Sequence, residues 1–551
     1  MRILTKILRD GEMVIRVAML VVAGFVFAGT SHAQERERLS VERIFASPSL
    51  SGVSVSAIKW SPDSKKIAYL RADASAGQKE LWVFDPGQKR SSLLLKATDL
   101  IPGEQQLSPE EESARERRRE SGSGIMHYLW SPDSKKMIIP LNGDMFSVDL
   151  NSRHITRLTE TPEPEIDPKV SPDGTYLAYV RRGEIYLLDL LTKSERKLTS
   201  GATAKIKNGV SEFVAQEEMG RHTGYWWSPD SKNIAFLQID NTNVREFHIV
   251  NYLTDYSDVT VQEYPKAGEA NTVVRVGIVP VFPGKTTWLN LGVNTDVYVP
   301  RVEWFPDGRR LAVQIQSRDQ DTLSLMLFDP QRGTSSLLLR EIDPYWVRLH
   351  DGLKFLNEGK EFIWLSERDG YKHIYYYTTI GGGRPESSTL IHQITQGKWD
   401  VDEVVGVDEK AGVVYFTAFE KTPLERHLYS AKLDGLGMSR VSVSDGTHSI
   451  VMSPDEQAFV DTYSSTGRPP LVAYMTVSKS AATMIEENPV DELERYDLPK
   501  PEFLTIKSAD GKHDLHAYII KPSNIIEQKQ YPVIMYQYNG PTSRVVENAW
   551  Q

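Results

Sequence analysis

The sequence predicts a mainly β protein: an eight-bladed β-propeller, followed by the first strands of a second domain of mixed α/β type. Two observations lead to this prediction. A short phrase, an aromatic or apolar residue followed by Ser-Pro-Asp or Phe-Pro-Asp, recurs along the chain. Each copy is followed by turn residues and then by a short apolar strand, as a hairpin requires. Clusters of short strands repeated at such intervals are typical of radial β-architectures.

Six copies of the phrase are clear and two are degenerate. The clear copies occupy residues 60–63, 130–133, 170–173, 227–230, 304–307 and 452–455, and the degenerate ones begin at Phe355 and Val407. One blade cannot bury both of its faces alone, whereas a ring of blades leaves few open strand edges. We therefore interpret residues 39–495 as one propeller. A β-sandwich is the alternative, but it does not explain a phrase repeated at blade spacing.

The first residues have the features of an export signal. Four basic residues precede an apolar run of 13 residues at 17–29, and small side chains follow at residues 31–33. The run is shorter than the roughly 20 residues that a stable membrane anchor needs. We predict a signal peptide at residues 1–33 and an exported protein, periplasmic or secreted, without a stable membrane anchor. Either Met1 or Met13 fits as the start.

The composition excludes several classes of function. The chain has no cysteine, so it has no disulfide, no thiolate nucleophile and no cysteine metal site. Its 12 histidines show no His-Glu-x-x-His spacing, and no metal or other cofactor is predicted. The net charge of −10 argues against nucleic acid as a partner.

Two insertions lengthen the intervals between copies, at residues 107–124 and 246–279. The first begins with Ser108-Pro109 and three glutamates and continues into an arginine-rich run at residues 115–119. Acids at the start and bases toward the end match the dipole of a helix. By itself this pattern predicts only a solvated surface helix.

Two adjacent carboxylates, Glu217 and Glu218, stand where a short helix is expected to end. Ser211 is the expected N-cap, and Gly220 and Gly224 are stop signals. The C-terminal end of a helix favours cations, so two acids there break a local rule, and such exceptions are site candidates. The alternative is a pair of solvated glutamates on a helix face.

Phe-Val-Ala-Gln-Glu-Glu-Met at 213–219 and Gly-Tyr-Trp-Trp at 224–227 resemble the dipeptidyl peptidase IV family of serine exopeptidases, in particular its bacterial and cytosolic branches. The resemblance spans about residue 40 to the last residue. Its pattern continues at residues 264–268 with Asn271, at 366–374, at 393–399 and at 531–541.

The resemblance implies a propeller that feeds peptides to an α/β-hydrolase domain. It implies the release of N-terminal dipeptides with Pro or Ala in second place, and it implies that Glu217 and Glu218 clamp the free α-amino group. In the family, an arginine of a similar Arg-Glu-Arg-x-Arg segment binds a substrate carbonyl; the candidates are Arg119 and Arg117. Family members commonly dimerise partly through an arm similar to residues 246–279, so a homodimer is an expectation.

Residues 500–551 look like the opening of an α/β-hydrolase domain. Strands are predicted at 502–507, 515–520 and 531–535, with a turn at Asp510-Gly511. In the family, the tyrosine of the Tyr-x-Gly-Pro phrase, here Tyr538, donates its hydroxyl to the oxyanion of the tetrahedral intermediate. The alternative is a core tyrosine at a strand end.

The 551 residues contain no Gly-x-Ser-x-Gly, the elbow that carries the nucleophile in this fold. We therefore expect the hydrolase domain to be incomplete here, without its catalytic Ser, Asp and His, and the chain alone to be inactive. A non-catalytic peptide-binding or scaffold propeller is the alternative. A tripeptidyl peptidase relative is disfavoured because two adjacent glutamates are kept.

Overall fold

The computed structural model describes residues 36–551 except 73–76, 104–106, 108, 254, 380–387, 539 and 541–542. The predicted signal peptide lies outside the described residues. Strands predominate, and eight sheets follow one another from Val55 to Glu486, so the predicted eight-bladed propeller is confirmed. No helix in the described part of the chain is long and apolar enough to cross a bilayer.

The first four blades run from Val55 to Trp288. Blade 1 contains β1 (Val55–Trp60), β2 (Ile67–Ala72), β3 (Gln78–Asp85) and β4 (Arg90–Leu95), with β5 (Ser123–Gly124) beside β3. Blade 2 contains β6 (Leu129–Trp130), β7 (Lys136–Leu141), β8 (Asp144–Asp149) and β9 (Ile155–Arg157). Blade 3 contains β10 (Ile166–Val170), β11 (Tyr176–Arg181), β12 (Glu184–Asp189) and β13 (Glu195–Lys197). Blade 4 contains β14 (Ile206–Asn208), β15 (Tyr225–Trp227), β16 (Asn233–Asp240) and, after an arm formed by β17 (Glu246–Asn251) and β18 (Asp258–Glu263), β19 (Val273–Pro280) and β20 (Thr287–Trp288).

The last four blades run from Val297 to Glu486. Blade 5 contains β21 (Val297–Tyr298), β22 (Val302–Trp304), β23 (Leu311–Ser317), β24 (Thr322–Asp329) and β25 (Thr334–Ile342). Blade 6 contains β26 (Lys354–Leu356), β27 (Glu361–Ser366), β28 (His373–Thr378) and β29 (Thr389–Gln393). Blade 7 contains β30 (Val401–Asp408), β31 (Val413–Ala418), β32 (His427–Lys432) and β33 (Ser439–Arg440). Blade 8 contains β34 (Thr447–Met452), β35 (Ala458–Ser465), β36 (Arg468–Thr476) and β37 (Lys479–Glu486).

The repeated phrase closes a turn within the blade and, where it begins with tryptophan, joins that blade to the one before it. In the five Ser-Pro-Asp copies the serine hydroxyl donates to the aspartate carboxylate at 2.6–2.7 Å, which closes the turn after the innermost strand. The tryptophan indoles donate across the interface; Trp227 bonds the carbonyl of Lys169 at 3.2 Å. Trp60 bonds the carbonyl of Val451 at 3.0 Å. This last bond closes the ring between blades 1 and 8.

The antiparallel pairing assigns the insertions to one end of the propeller. Connections from one blade to the next, and those between the second and third strands of a blade, lie at the end opposite to the Ser-Pro-Asp turns. We call this end the site face. It carries α2 (Ala97–Leu100) and α3 (Pro109–Arg117), which precede β6, and the β17–β18 arm. A short helix, α4 (Phe213–Glu218), interrupts the innermost strand of blade 4, because β14 and β15 both pair with β16.

The segments that precede and follow the propeller contact each other. The N-terminal helix α1 (Val41–Phe45) is held by Arg43, whose Nε donates to Glu492 at 2.7 Å, within the 3₁₀ helix Asp491–Arg495. A second 3₁₀ turn spans Asn357–Gly359. After the linker, β38 (Glu502–Lys507) and β39 (Asp514–Ile519) form the predicted hairpin around Asp510-Gly511.

The prediction of a strand at 531–535 is wrong. These residues pair with no strand among the described residues, and Val533 and Ile534 are 82% and 96% exposed. A β-strand needs a hydrogen-bonded neighbour, and apolar sequence alone does not supply one. Further on, the chain returns to the site face, where the backbone N–H of Asn548 donates to the carbonyl of Leu424 at 2.8 Å.

Candidate functional site

The double glutamate lies at the end of α4. Glu217 and Glu218 are the last two helical residues, Met219 is the C-cap, and both carboxylates are exposed. Neither has a hydrogen-bond or ion-pair partner among the described residues. The innermost strands of a propeller line its central channel, so α4 leaves the sheet at the channel wall. Two unpaired carboxylates therefore stand together at the negative end of a helix, open to a ligand from the channel or the site face.

The prediction that Ser211 caps α4 is wrong. The N-cap is Glu212, without a side-chain cap bond, and the Ser211 hydroxyl instead donates to the carbonyl of Arg221 at 2.6 Å. The reason is that the chain after the helix folds back over its start. The backbone N–H of Arg221 donates to the carbonyl of Ala215 at 2.9 Å.

A buried ion pair joins the two ends of this fold-back. Arg221 Nη2 and Glu212 Oε2 are 2.6 Å apart, and both side chains are 3% exposed. Glu212 Oε1 and Arg221 Nε have no hydrogen-bond partner among the described residues. The sequence analysis did not identify this pair. The available signal was an acid directly before the helix and an arginine directly after Gly220.

The loop after Arg221 is also tied to blade 3. Arg221 Nη1 donates to the carbonyl of Thr223 at 2.8 Å, and the Thr223 hydroxyl donates to Asp167 Oδ2 at 2.6 Å. Lys169 Nζ donates to the same Asp167 oxygen at 3.0 Å and to the carbonyl of Tyr225 at 2.6 Å. Burial lowers the pKa of Lys169. These bonds fix the chain on the far side of the fold-back.

The arginine-rich helix α3 docks on α4 through Arg117. Its Nη1 donates to Gln216 Oε1 at 3.3 Å, and its guanidinium lies 5.7 Å from the centre of the Phe213 ring. The other end of α3 is held by blade 2, where the backbone N–H of Gly143 donates to Glu111 Oε1 at 3.0 Å. The structure therefore brings Arg117 to the helix that carries the double glutamate.

Arg118 and Arg119 follow the end of α3 and differ in their surroundings. Arg118 Nη1 is 3.3 Å from His127 Nε2, which is 3.1 Å from Glu120 Oε2. Arg119 has a left-handed backbone with φ of 53°, and its side chain is exposed without a partner among the described residues. Of these arginines, Arg119 is the one whose guanidinium is free for a ligand.

The arm contributes aromatic rings to the same region. The Tyr264 ring lies 4.9 Å from that of Phe213 and 6.0 Å from that of Phe247, measured between ring centres. Tyr264 belongs to the Tyr-Pro-Lys-Ala-Gly motif noted in the sequence. The motif thus supports α4 from the side opposite to the buried core residue Ala215.

His222 lies in the fold-back loop, half-buried, and was not a sequence candidate. Burial lowers its pKa, and the positive charges of Arg118 and Arg221 lower it further. Glu120 and Glu217 act in the opposite direction. The charge state of His222 therefore depends both on the charged residues after α3 and on Glu217 of the double glutamate.

Tyr538 is not brought to these residues. Its side chain is 61% exposed, and its ring lies against Gly540. No described contact joins Tyr538 to the double glutamate or to the arginines of α3. Among the described residues, no group of three or more His, Asp or Glu side chains is arranged to hold a metal ion.

A polar cavity of about 180 Å³ lies on the site face between the propeller and the C-terminal segment. Its charged side chains form ion pairs, one between the C-terminal segment and the propeller and one within the propeller. Arg544 Nη2 lies 2.7 Å from Asp400 Oδ2, and Arg426 Nη1 lies 3.1 Å from Asp402 Oδ2. The cavity is part of the surface that joins residues 543–551 to blades 6 and 7.

Comparison with known proteins identifies relatives that match most of the propeller. The family described as "Dipeptidyl peptidase IV (DPP IV) N-terminal region" matches residues 127–470. Mouse (Mus musculus) dipeptidyl peptidase 8 is 26% identical over 543 residues, covering 81% of this chain and 60% of the relative. Dipeptidyl-aminopeptidase B of Aspergillus niger is 28% identical over 420 residues, covering 68% of this chain and 45% of the relative. The chain thus spans about 60% or less of the length of these curated relatives.

Two solved structures share the fold. Porphyromonas gingivalis dipeptidyl peptidase 4 aligns with a TM-score of 0.78 and 24% identity over 94% of this chain and 71% of that chain. A putative dipeptidyl aminopeptidase IV from Bacteroides ovatus aligns with a TM-score of 0.72 and 23% identity over 94% of this chain and 72% of that chain.

Proposed function

The chain belongs to the dipeptidyl peptidase IV family, whose N-terminal region matches its propeller, and from this premise we propose that it recognises substrates for an exported serine exopeptidase. The proposed substrates are peptides with a free N-terminus and Pro or Ala in second place. The proposed reaction is release of the N-terminal dipeptide. The predicted signal peptide supports export to the periplasm or the medium.

The observation that carries the proposal is the pair of exposed, unpartnered carboxylates at the end of α4. An α-ammonium group has three N–H donors and needs several acceptors at once. Two like charges 4 Å apart repel by about 4 kcal/mol at an effective dielectric of 20, and a cation between them relieves this repulsion. The negative end of the helix adds to the attraction. An acetylated N-terminus is uncharged and offers only one N–H donor.

Arg119 is the proposed partner of a substrate carbonyl. Arg117 supports this assignment indirectly, because its guanidinium already bonds Gln216 and lies over Phe213. An arginine committed to holding two helices together is a poor ligand for a transient substrate. We therefore assign substrate contact to Arg119 and helix positioning to Arg117.

Tyr538 is the proposed oxyanion donor. Its exposed hydroxyl is compatible with a nucleophile brought beside it, but the 551 residues contain no Gly-x-Ser-x-Gly elbow. The proposal is therefore that this chain binds N-terminal dipeptide units and does not cleave them by itself.

The arm is the proposed contact with a second copy. Both strands are exposed along their length, and Ile249 and Val261 are 47% and 52% exposed. Sedimentation should show a dimer that Ile249→Lys with Val261→Lys converts to a monomer. A monomeric wild type would remove this part of the proposal.

Calorimetric titration of the 551-residue protein tests the proposed function. An Ala-Pro-initiated peptide should bind more tightly than its N-acetylated form. Equal binding of free and acetylated peptides would contradict the amine clamp and would favour a scaffold propeller. Release of dipeptide by the purified chain would contradict the proposal that it does not cleave.

A further inference from the structure

The loop after the double glutamate is anchored by the residues on both sides of His222. Arg221 is buried in the ion pair with Glu212, and its N–H bonds the carbonyl of Ala215. Thr223 bonds Asp167 of blade 3. His222 stands between these two anchored residues, so its backbone is held in the loop after α4.

The charges of four groups on three elements act on His222. Glu217 belongs to α4 and Arg221 to the loop, while Arg118 and Glu120 come from the chain after α3. Arg118 and Glu120 are held in place by His127, whose Nε2 lies 3.3 Å from Arg118 Nη1 and 3.1 Å from Glu120 Oε2.

The imidazole of His222 is half-buried and has no hydrogen-bond partner among the described residues. The nearby Glu217 is also without a partner. Among the described residues, His222 is therefore the imidazole that lies in the loop after the double glutamate. Neither His222 nor Glu217 is hydrogen-bonded to a described residue.

We propose that His222 is a specificity-determining residue of the amine site: neutral, it leaves Glu217 free for a peptide ammonium, and protonated, it becomes an internal counter-ion that excludes that ammonium. This inference rests on the proposed function. It extends that function, because the substrate ammonium and the protonated His222 compete for Glu217.

The direction of titration agrees with this role. Burial and the charge of Arg118 lower the pKa of His222, so the imidazole is neutral at neutral pH and gains its proton only in acid. A peptide amine loses its proton near pH 7.7–8.0. Selective binding of the free amine is therefore confined to a window bounded by His222 on the acid side and by the substrate on the alkaline side.

The first experiment measures coupling without any peptide. The 551-residue protein is labelled at the histidine Cε1 positions, the His222 resonance is assigned with His222→Gln, and its titration is followed by NMR in wild type and Glu217→Gln. Removing the carboxylate should lower the pKa of His222. An unchanged titration would overturn the inference.

The second experiment measures affinity for free and N-acetylated Ala-Pro peptides between pH 5 and 8.5. In wild type, the preference for the free amine should fall about fivefold or more toward pH 5. His222→Gln should retain the preference to lower pH. His222→Lys should reduce it about fivefold or more already at pH 7.5, and the exposed control His154→Gln should behave as wild type.

The outcomes separate this inference from the function on which it rests. A wild type that prefers the free amine, together with a His222→Gln profile that matches it, overturns the inference alone. A wild type without any preference at every pH overturns the proposed function, and the inference with it.

Discussion

Breaking the buried pair Glu212–Arg221 should loosen the amine site without unfolding the propeller. In Arg221→Met, the carboxylate of Glu212 remains buried at 3% exposure with no cation beside it. Removing one partner of such a pair costs about 3–5 kcal/mol. Because the pair joins the start of α4 to the loop after it, the cost should appear as local opening of residues 209–225.

Hydrogen exchange read by mass spectrometry is the assay. Peptides covering residues 209–225 should exchange faster in Arg221→Met, by the equivalent of about 3 kcal/mol or more, while peptides from blades 6 to 8 stay unchanged. The matched control is Arg495→Met, which breaks an exposed pair with Glu37 at 57% and 54% side-chain exposure. Water screens exposed pairs, which therefore contribute little to stability, so this control should change little.

A double variant separates the charge from the packing. Glu212→Leu with Arg221→Met replaces the pair by apolar groups and should cost less than Arg221→Met alone, since no unpaired charge stays buried. Arg221→Lys should retain part of the protection. If Arg221→Met exchanges no faster than the Arg495→Met control, the pair does not hold α4 and the reasoning from its burial is refuted.

Three further predictions concern single side chains. Arg119→Ala should weaken binding of an Ala-Pro peptide while leaving hydrogen exchange in α4 unchanged, whereas Arg117→Ala should accelerate hydrogen exchange in α4. If Arg117→Ala instead weakens binding and Arg119→Ala accelerates hydrogen exchange, the two assigned roles are reversed. In a longer form of the protein that cleaves Ala-Pro substrates, Tyr538→Phe should lower kcat by about 10²- to 10³-fold with little change in KM, and an unchanged kcat would remove Tyr538 from the mechanism. His448 bonds Asp461 Oδ2 at 2.8 Å; burial alone would lower its pKa, but this carboxylate raises it overall. The stabilisation is complete below the unfolded pKa of about 6.5 and is lost as pH rises through the folded pKa, so denaturation should show His448→Gln to be more costly at pH 5.5 than at pH 8.5; an equal cost would contradict the pairing.

The propeller was predictable from sequence because its signal is local. In five blades the turn after the innermost strand is closed by a serine and an aspartate two residues apart, and where a tryptophan precedes them it needs only the backbone of the previous blade. Four adjacent residues meet both requirements, and this four-residue phrase recurs along the chain. The end of α4 was predictable for the same reason, since glycines that follow it within the chain stop a helix wherever it lies.

The parts that sequence did not predict depend on residues distant in the chain. Ser211 bonds the returning Arg221, and Arg117 bonds Gln216 on another element, which is why Arg119 is the proposed substrate contact. The strand expected at 531–535 requires a neighbour that an apolar pattern does not reveal. Local chemistry therefore predicted the elements, and tertiary contacts decided which side chains were left free for a ligand.

The central claim is that Glu217 and Glu218 bind the free α-ammonium of a peptide. The most direct measurement is the ratio of dissociation constants for N-acetylated and free Ala-Pro peptides at pH 7, in wild type, Glu217→Gln, Glu218→Gln and the exposed control Glu487→Gln. We predict a large ratio in wild type and control, and a clear loss of free-peptide affinity in each site variant, because the bound ammonium keeps only half of its partners. A ratio that is the same in all four proteins would contradict the claim.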